Sequence, residues 1–147
     1  MSDESSTLRS VHLVRTGAME YRAENGRGGV ISIGEGQNTD FTPVELLLVA
    51  LGGCTGLTVE ALTKRAEPRR FDIAVEGHKV KDPSGANLLE KLLVTLDIAF
   101  DNDEIGQKMA ERVTDAMEKS HQKLCTVSRT VELPSPVRVV QVRSSEA

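Results

Sequence analysis

The sequence is poor in aromatic residues. It has no tryptophan, and Tyr21, Phe41, Phe71 and Phe100 are its four rings among 147 residues. So few rings cannot build the stacking platform on which single-stranded nucleic acid is bound. There is no excess of positive charge either: 18 Lys and Arg stand against 22 Asp and Glu, for a net charge of −4 and a pI near 5.4. An acidic surface argues against a phosphate backbone as partner and against a basic membrane-binding face. No apolar run reaches the ~18 uninterrupted residues of a membrane span; the most apolar stretch, from Pro43-Val44 onward, carries Glu45 and several glycines. The opening MSDESSTL is polar and acidic, without the apolar core of a signal peptide. Residues 1–8 are therefore expected to be a disordered tail, 9–143 a single domain and 144–147 a C-terminal tail. Cysteine is scarce as well. Cys54 and Cys125 stand alone, far apart in the chain and with no C-x-x-C spacing. Together with the missing export signal, this suggests a cytoplasm in which both thiols are reduced at rest.

What is present is a clear alternation of patterns. Apolar runs at Val11-Val14 and Val30-Ile33, separated by the turn signal Glu24-Asn25-Gly26-Arg27-Gly28-Gly29, predict a hairpin over residues 8–34. Thr42, Pro43 and Glu45 then match a capping box with proline at the first helical position. The following run, VELLLVALGGCTGLTVEALTKR, is apolar nearly all round, so both sides of this helix should be buried. Lys64 and Arg65 suit its C-terminal end. Phe71, Ile73 and Val75 alternate with Asp72, Glu76 and His78, and Leu92 to Phe100 alternate again. Two half-buried strands joined by a turn at Asp82-Gly85 follow from that. Ile105, Met109, Val113, Ala116 and Met117 share one face of a helix over 103–121. HQKLCTVSRTVE is short for a helix and reads as a corner, and Val137-Val142 as a last strand. The order β-β-α-β-β-α-β gives an α+β fold with antiparallel sheet.

The chemistry rests on the two cysteines. Cys54 lies mid-helix, directly after Gly52-Gly53 and before Gly56. Mid-helix glycines cost roughly 1 kcal/mol each, so the close approach of another backbone, a second helix or a second chain, is expected there. Cys54 reads either as a small buried hydrophobe or as a reactive thiol. Cys125 follows a helix end rich in cations (Lys119, His121, Lys123), which lowers a thiol pKa, while the helix C-terminus raises it. A zinc site from Cys54, His121, Cys125 and a carboxylate lacks the usual short ligand spacing, so no metal and no cofactor is assigned. His12 and His78 fall on strands and should be solvated.

T-P-V-E-L-L-L-V-A-L-G-G-C-T from Thr42 to Thr55, with K-L-C-T-V-S-R-T-V from Lys123 to Val131, resembles the OsmC/Ohr superfamily of bacterial thiol proteins. The resemblance implies an intertwined homodimer in which antiparallel sheets wrap buried central helices. It also implies that Cys54 is a peroxidatic thiol attacking an organic hydroperoxide, and that Cys125 is a resolving thiol later freed by an external dithiol reductant. The Ohr branch adds a catalytic Arg in the first hairpin and a Glu directly after the helix-opening Pro. Those positions correspond here to about Met19 and Val44, so the chain resembles the general OsmC-like branch more than Ohr itself. Glu45 and Arg22, with Arg27 behind it, are the candidates for the missing groups. Glu45 lies about 900° around a regular helix from Cys54, on the opposite face, which also fits a role purely as a cap. The resulting expectation is a thiol peroxidase. The other reading is a non-catalytic or redox-sensing dimer that binds an apolar small molecule in its interface cleft.

Overall fold

The computed structural model describes residues 7–142. The tails expected at 1–8 and 144–147 lie outside the described residues, apart from residues 7 and 8, which are exposed. The chain divides into two compact units, with the boundary between Val49 and Ala50.

The first unit is a three-stranded antiparallel sheet, β1 (His12–Gly17), β2 (Glu20–Glu24) and β3 (Val30–Ile33), in the order β1-β2-β3. The expected hairpin thus has one strand more. The first run folds back on itself through a tight turn in which Met19 takes φ 59°. No Asn-Gly or Asp-Gly signals that turn, so the pattern alone does not reveal it. The second turn is where the glycines mark it: Gly28 has φ 91°, and Asn25 Oδ1 accepts from the amides of Arg27 and Gly29 at 2.9 Å.

Helix α1 (Pro43–Leu62) begins in this unit and runs on into the second. Its capping box forms in full: Glu45 N donates to Thr42 Oγ1 at 3.2 Å, and Thr42 N donates to Glu45 Oε1 at 3.0 Å. Thr42 and its reciprocal hydrogen bonds pull the Glu45 carboxyl below its usual value. The helix ends at Leu62, before Lys64 and Arg65, which lie in the turn beyond it. By length and mean hydropathy (1.6) α1 would pass for a membrane span. Among its residues only Leu51, Gly52, Gly56 and Val59 are buried, however.

In the second unit, β4 (Arg70–Lys81) and β5 (Asn87–Ala99) form a long antiparallel ribbon. Ile73 and Val75, on the apolar face of β4, lie against the glycines of α1: a Cβ on Gly52 would stand 2.7 Å from Val75 Cγ2, and one on Gly56 would stand 2.5 Å from Ile73 Cδ1. Side chains of the same chain, rather than another backbone, explain those two glycines. Gly53 faces open space. Helix α2 (Glu104–Lys119) is capped by Asp103 Oδ1, which accepts from Gly106 N at 2.6 Å. It buries Met109 and Ala116 and half-buries Val113 and Met117, while Ile105, expected on the same face, is exposed.

Two expectations fail at the C-terminal end. The predicted corner is a π-helical turn (Ser120–Leu124) followed by a short helix, α3 (Thr126–Glu132). The predicted strand at Val137-Val142 is irregular chain, with Val137 87% and Val139 92% exposed. Alternation marks a segment fit for a sheet, but a strand forms only against an edge, and none pairs with it among the described residues.

Candidate functional site

The π turn is what brings the two cysteines together. Its extra residue closes an i→i−5 bond from Cys125 N to Ser120 O at 2.8 Å, and such turns recur at functional sites. Cys125 then leaves helical geometry (φ −80°, ψ 101°) and becomes the N-cap of α3, its Sγ accepting from Ser128 N at 3.4 Å. Cys54, in the middle of α1, and Cys125 lie within hydrogen-bonding reach of one another, and the Cys54 sulfur is approached by the amides of Val127 and Thr126. The first three amides of α3 thus serve the two sulfurs between them, where the helix dipole favours negative charge.

The two thiols differ in access and acidity. Cys125 is fully buried, while Cys54 is half-buried. Burial pushes the Cys54 thiol up, and so does its hydrogen bond to Cys125, with only partial relief from the Val127 and Thr126 amides. Burial also raises Cys125, but the Cys54 S–H, the Ser128 amide and the hydroxyls of Ser128 and Thr55 together outweigh it, and its pKa falls below the usual thiol value. The net fall comes first from Cys54 and then from Ser128, at the start of a helix too short to be read from periodicity. Both cysteines are free thiols.

Beside the pair lies a cavity of about 440 Å³. Leu51, Leu92, Val94, Leu96, Met117 and Val131 make it largely apolar. Thr55 and Ser128, the two hydroxyl residues that act on Cys125, form part of its wall. The remaining wall is charged: Glu90, Lys91, His121 and Glu132, with His121 Nε2 and Glu132 Oε1 paired at 3.2 Å. Glu90, Lys91 and Leu92 all line it although they are consecutive. The pairing shifts register opposite Gly77, and Lys91 sits in the left-handed region with φ 53°. This is a bulge that turns a side chain out of its alternation.

The other expected site residues lie in the first unit. Arg22 Nε is bound to Glu24 Oε1 at 2.9 Å, Glu45 is engaged in the cap, and Arg27 lies exposed in the β2–β3 turn. Met19, where a guanidinium was sought, is an exposed turn residue. His12 and His78 are exposed as expected. No group of three His, Cys, Asp or Glu among the described residues could hold a metal ion. Thr55 and Ser128 were missed in the sequence. Their signal was adjacency: Thr55 follows Cys54 directly, and Ser128 stands at the third helical position after a cysteine cap.

A mixed α and β fold that sets one half-buried and one buried thiol at a single helix start defines a two-cysteine thiol protein. Residues 35–140 match the family described as OsmC-like protein. The chain belongs to the OsmC-like family. An uncharacterized protein of Mycobacterium tuberculosis is 27% identical over 128 residues, covering 85% of this chain and 90% of its own. An OsmC-like protein from Vibrio cholerae shares the fold with a TM-score of 0.72 at 14% identity, over 85% of this chain and 94% of that one. An organic hydroperoxide resistance protein of Bacillus subtilis is more distant in shape, with a TM-score of 0.53 at 18% identity over 84% and 90%. In fold, the chain is accordingly more similar to that OsmC-like protein than to that organic hydroperoxide resistance protein.

Proposed function

We propose that this protein is a thiol peroxidase of modest rate that reduces organic hydroperoxides in the cytoplasm. In this reading Cys54 is the peroxidatic thiol, Cys125 the resolving thiol, and an external dithiol the reductant. The observation that carries it is the hydrogen-bonded Cys54–Cys125 pair beside a largely apolar cavity. In this reading the half-buried sulfur is the one that meets the peroxide, and the buried one then forms a disulfide with it.

The groups acting on Cys54 are amides and a thiol, with no guanidinium among them. A missing charge donor costs on the order of 100-fold in rate, so the reaction is slow. Arg22 would have to leave Glu24 to supply one, and Glu45 acts by fixing the start of the helix that carries Cys54. The working form is a homodimer. Val44, Leu47, Val49 and Leu57 of α1 are exposed on a helix that is apolar nearly all round. Gly53 and Gly56 border an open cleft of about 300 Å³ suited to a second copy.

The test is thiol counting with a bulky hydroperoxide. One equivalent should consume both thiols in the parent protein and none in Cys54→Ser. The Cys125→Ser protein should react once and then overoxidise. Equal single-turnover consumption by the Cys54→Ser protein would reverse the assignment.

A further inference from the structure

Two opposite charges stand unpaired on the wall of the thiol cavity. Glu90 and Lys91 both line it and both are exposed. Neither forms an ion pair with the other or with any other described residue. Consecutive residues of a strand normally face opposite ways, so this placing has a cause. Between the pairs Glu76–Leu93 and His78–Glu90 the ladder sets two residues, Lys91 and Leu92, against Gly77 alone. A Cβ on Gly77 would stand 2.7 Å from Leu92 Cδ2, so the glycine makes room for Leu92. Lys91 takes the left-handed conformation, φ 53°, which a lysine rarely adopts, and joins Glu90 on the cavity side. Backbone strain of this kind gathers at functional sites.

The result is a carboxylate and an ammonium on adjacent residues, beside the apolar wall made by Leu92, Val94 and Leu96. Thr55, next in sequence to Cys54, belongs to the same lining. Such a wall sorts ligands by charge. A plain organic anion would meet Glu90 as well as Lys91, and a plain cation would meet Lys91 as well as Glu90. A neutral body gains from neither. Glu132 is already held by His121 at 3.2 Å. A ligand gains from both free charges only if it carries an ammonium and a carboxylate close together on an apolar body, as an aliphatic α-amino acid does.

We propose that the cavity takes zwitterionic hydroperoxides, of the class formed by a free aliphatic amino acid oxidised on its side chain, with Glu90 binding the ammonium and Lys91 the carboxylate. This rests on the peroxidase reading and names its substrate class. Glu90 and Lys91 set specificity and take no part in bond making. Cys54 gives its proton to solvent and its sulfur attacks the distal oxygen of the side-chain hydroperoxide. An S–O bond forms, the O–O bond breaks, and the alkoxide takes a proton from solvent to leave as a hydroxy amino acid. The Cys125 thiol then condenses with the sulfenic acid, an S–S bond forms and water leaves.

The test compares leucine γ-hydroperoxide with its N-acetyl derivative (carboxylate only), its amide (ammonium only) and its N-acetyl amide (neutral), by the second-order rate of thiol loss. Two exposed charge pairs together should make the zwitterion roughly tenfold faster than the neutral probe, with both singly charged probes slower than the zwitterion. In Glu90→Gln, and in Lys91→Asn, which keeps a residue that tolerates left-handed backbone, the ratio of zwitterion to neutral rate should fall about threefold. A merely structural role would change all the rates together and leave the ratio where it was. Equal rates for all the probes in the parent protein, or an unmoved ratio in both variants, would overturn the proposal. If no probe consumes thiol, the peroxidase reading fails by itself, and calorimetry with the unreactive γ-hydroxyleucine decides the site. Binding that weakens in both variants supports it, and no binding to the parent protein overturns it.

Discussion

Gly52 and Val75 touch where a side chain would otherwise stand: a Cβ on Gly52 would lie 2.7 Å from Val75 Cγ2. The helix bearing Cys54 thus rests on β4 because a methyl group is missing. Valine is stiff at χ1 and cannot swing aside as the end of Ile73 can beside Gly56. Gly52→Ala should therefore destabilise the protein by about 1–3 kcal/mol, more than Gly56→Ala, as read by chemical denaturation. Equal losses would mean that β4 gives way as a body.

Gly53 tests the assembly. Nothing lies within 4 Å of its would-be Cβ, so in a lone chain Gly53→Ala should gain about 1 kcal/mol of helix propensity. Against a second copy, a larger side chain should clash. Sedimentation should find a dimer for the parent protein and a weakened one for Gly53→Leu. A parent protein that sediments as a monomer of 15.9 kDa would refute the dimer.

Acid should loosen the fold through its hydrogen-bonded carboxylates. Glu45 is lowered from 4.5 by the Thr42 amide and hydroxyl. Asp97 is lowered from 3.8 by Arg70, and Asp82 is lowered from 3.8 by Ser84 and the Ala86 amide. Each has a folded pKa below its unfolded one, so its contribution is complete above the unfolded value and is lost as pH falls through the folded one. The melting temperature should be insensitive to these groups above pH 4.5 and should decline below it. In Thr42→Ala the loss of the cap should cost about 1 kcal/mol at neutral pH and flatten part of that decline.

Ser120 is fully buried and its Oγ has no hydrogen-bond partner. A buried hydroxyl without a partner costs about 1–3 kcal/mol. Ser120→Ala should raise stability by about 1 kcal/mol in denaturant titration. A loss would show that the hydroxyl is satisfied by something bound.

The cavity beside the thiols should select by size. At about 440 Å³ with a mainly apolar wall, it can shelter the body of an organic hydroperoxide, whereas hydrogen peroxide gains nothing from it. Second-order rates of thiol loss should rise from hydrogen peroxide to bulky apolar hydroperoxides, and Leu96→Lys should erase the difference. Equal rates in the parent protein would remove the cavity from the mechanism.

Elements that carry their own local signal were legible in the sequence. The Thr42–Glu45 box fixed the start of α1, and period-two alternation gave β4 and β5. The 3.6-residue spacing gave α2. What stayed hidden depends on partners distant in sequence or on pieces too short for a period. The turn at Met19 has no turn-specific residue. Helix α3 has 7 residues, under two turns, so its apolar pattern cannot be told from that of a corner. The Val137-Val142 alternation was real, but pairing is a property of two segments. The pairing of Cys54 with Cys125 came from resemblance. Spacing alone could not show that α3 would set its first amides between the two sulfurs, nor that Thr55 and Ser128 would complete the set of donors.

The π turn at Ser120–Leu124 is, in counting terms, one residue of surplus. Remove that residue, by deleting Gln122, and the chain from Glu104 onward can wind as an unbroken α-helix. Every later position then rotates by about 100° and advances by about 1.5 Å. Cys125 would keep its neighbours in sequence yet lose its neighbour in space. The pairing of the two thiols is therefore an indexing device, set by where the helix miscounts, and a single deletion that touches neither cysteine would uncouple them while leaving both in the chain.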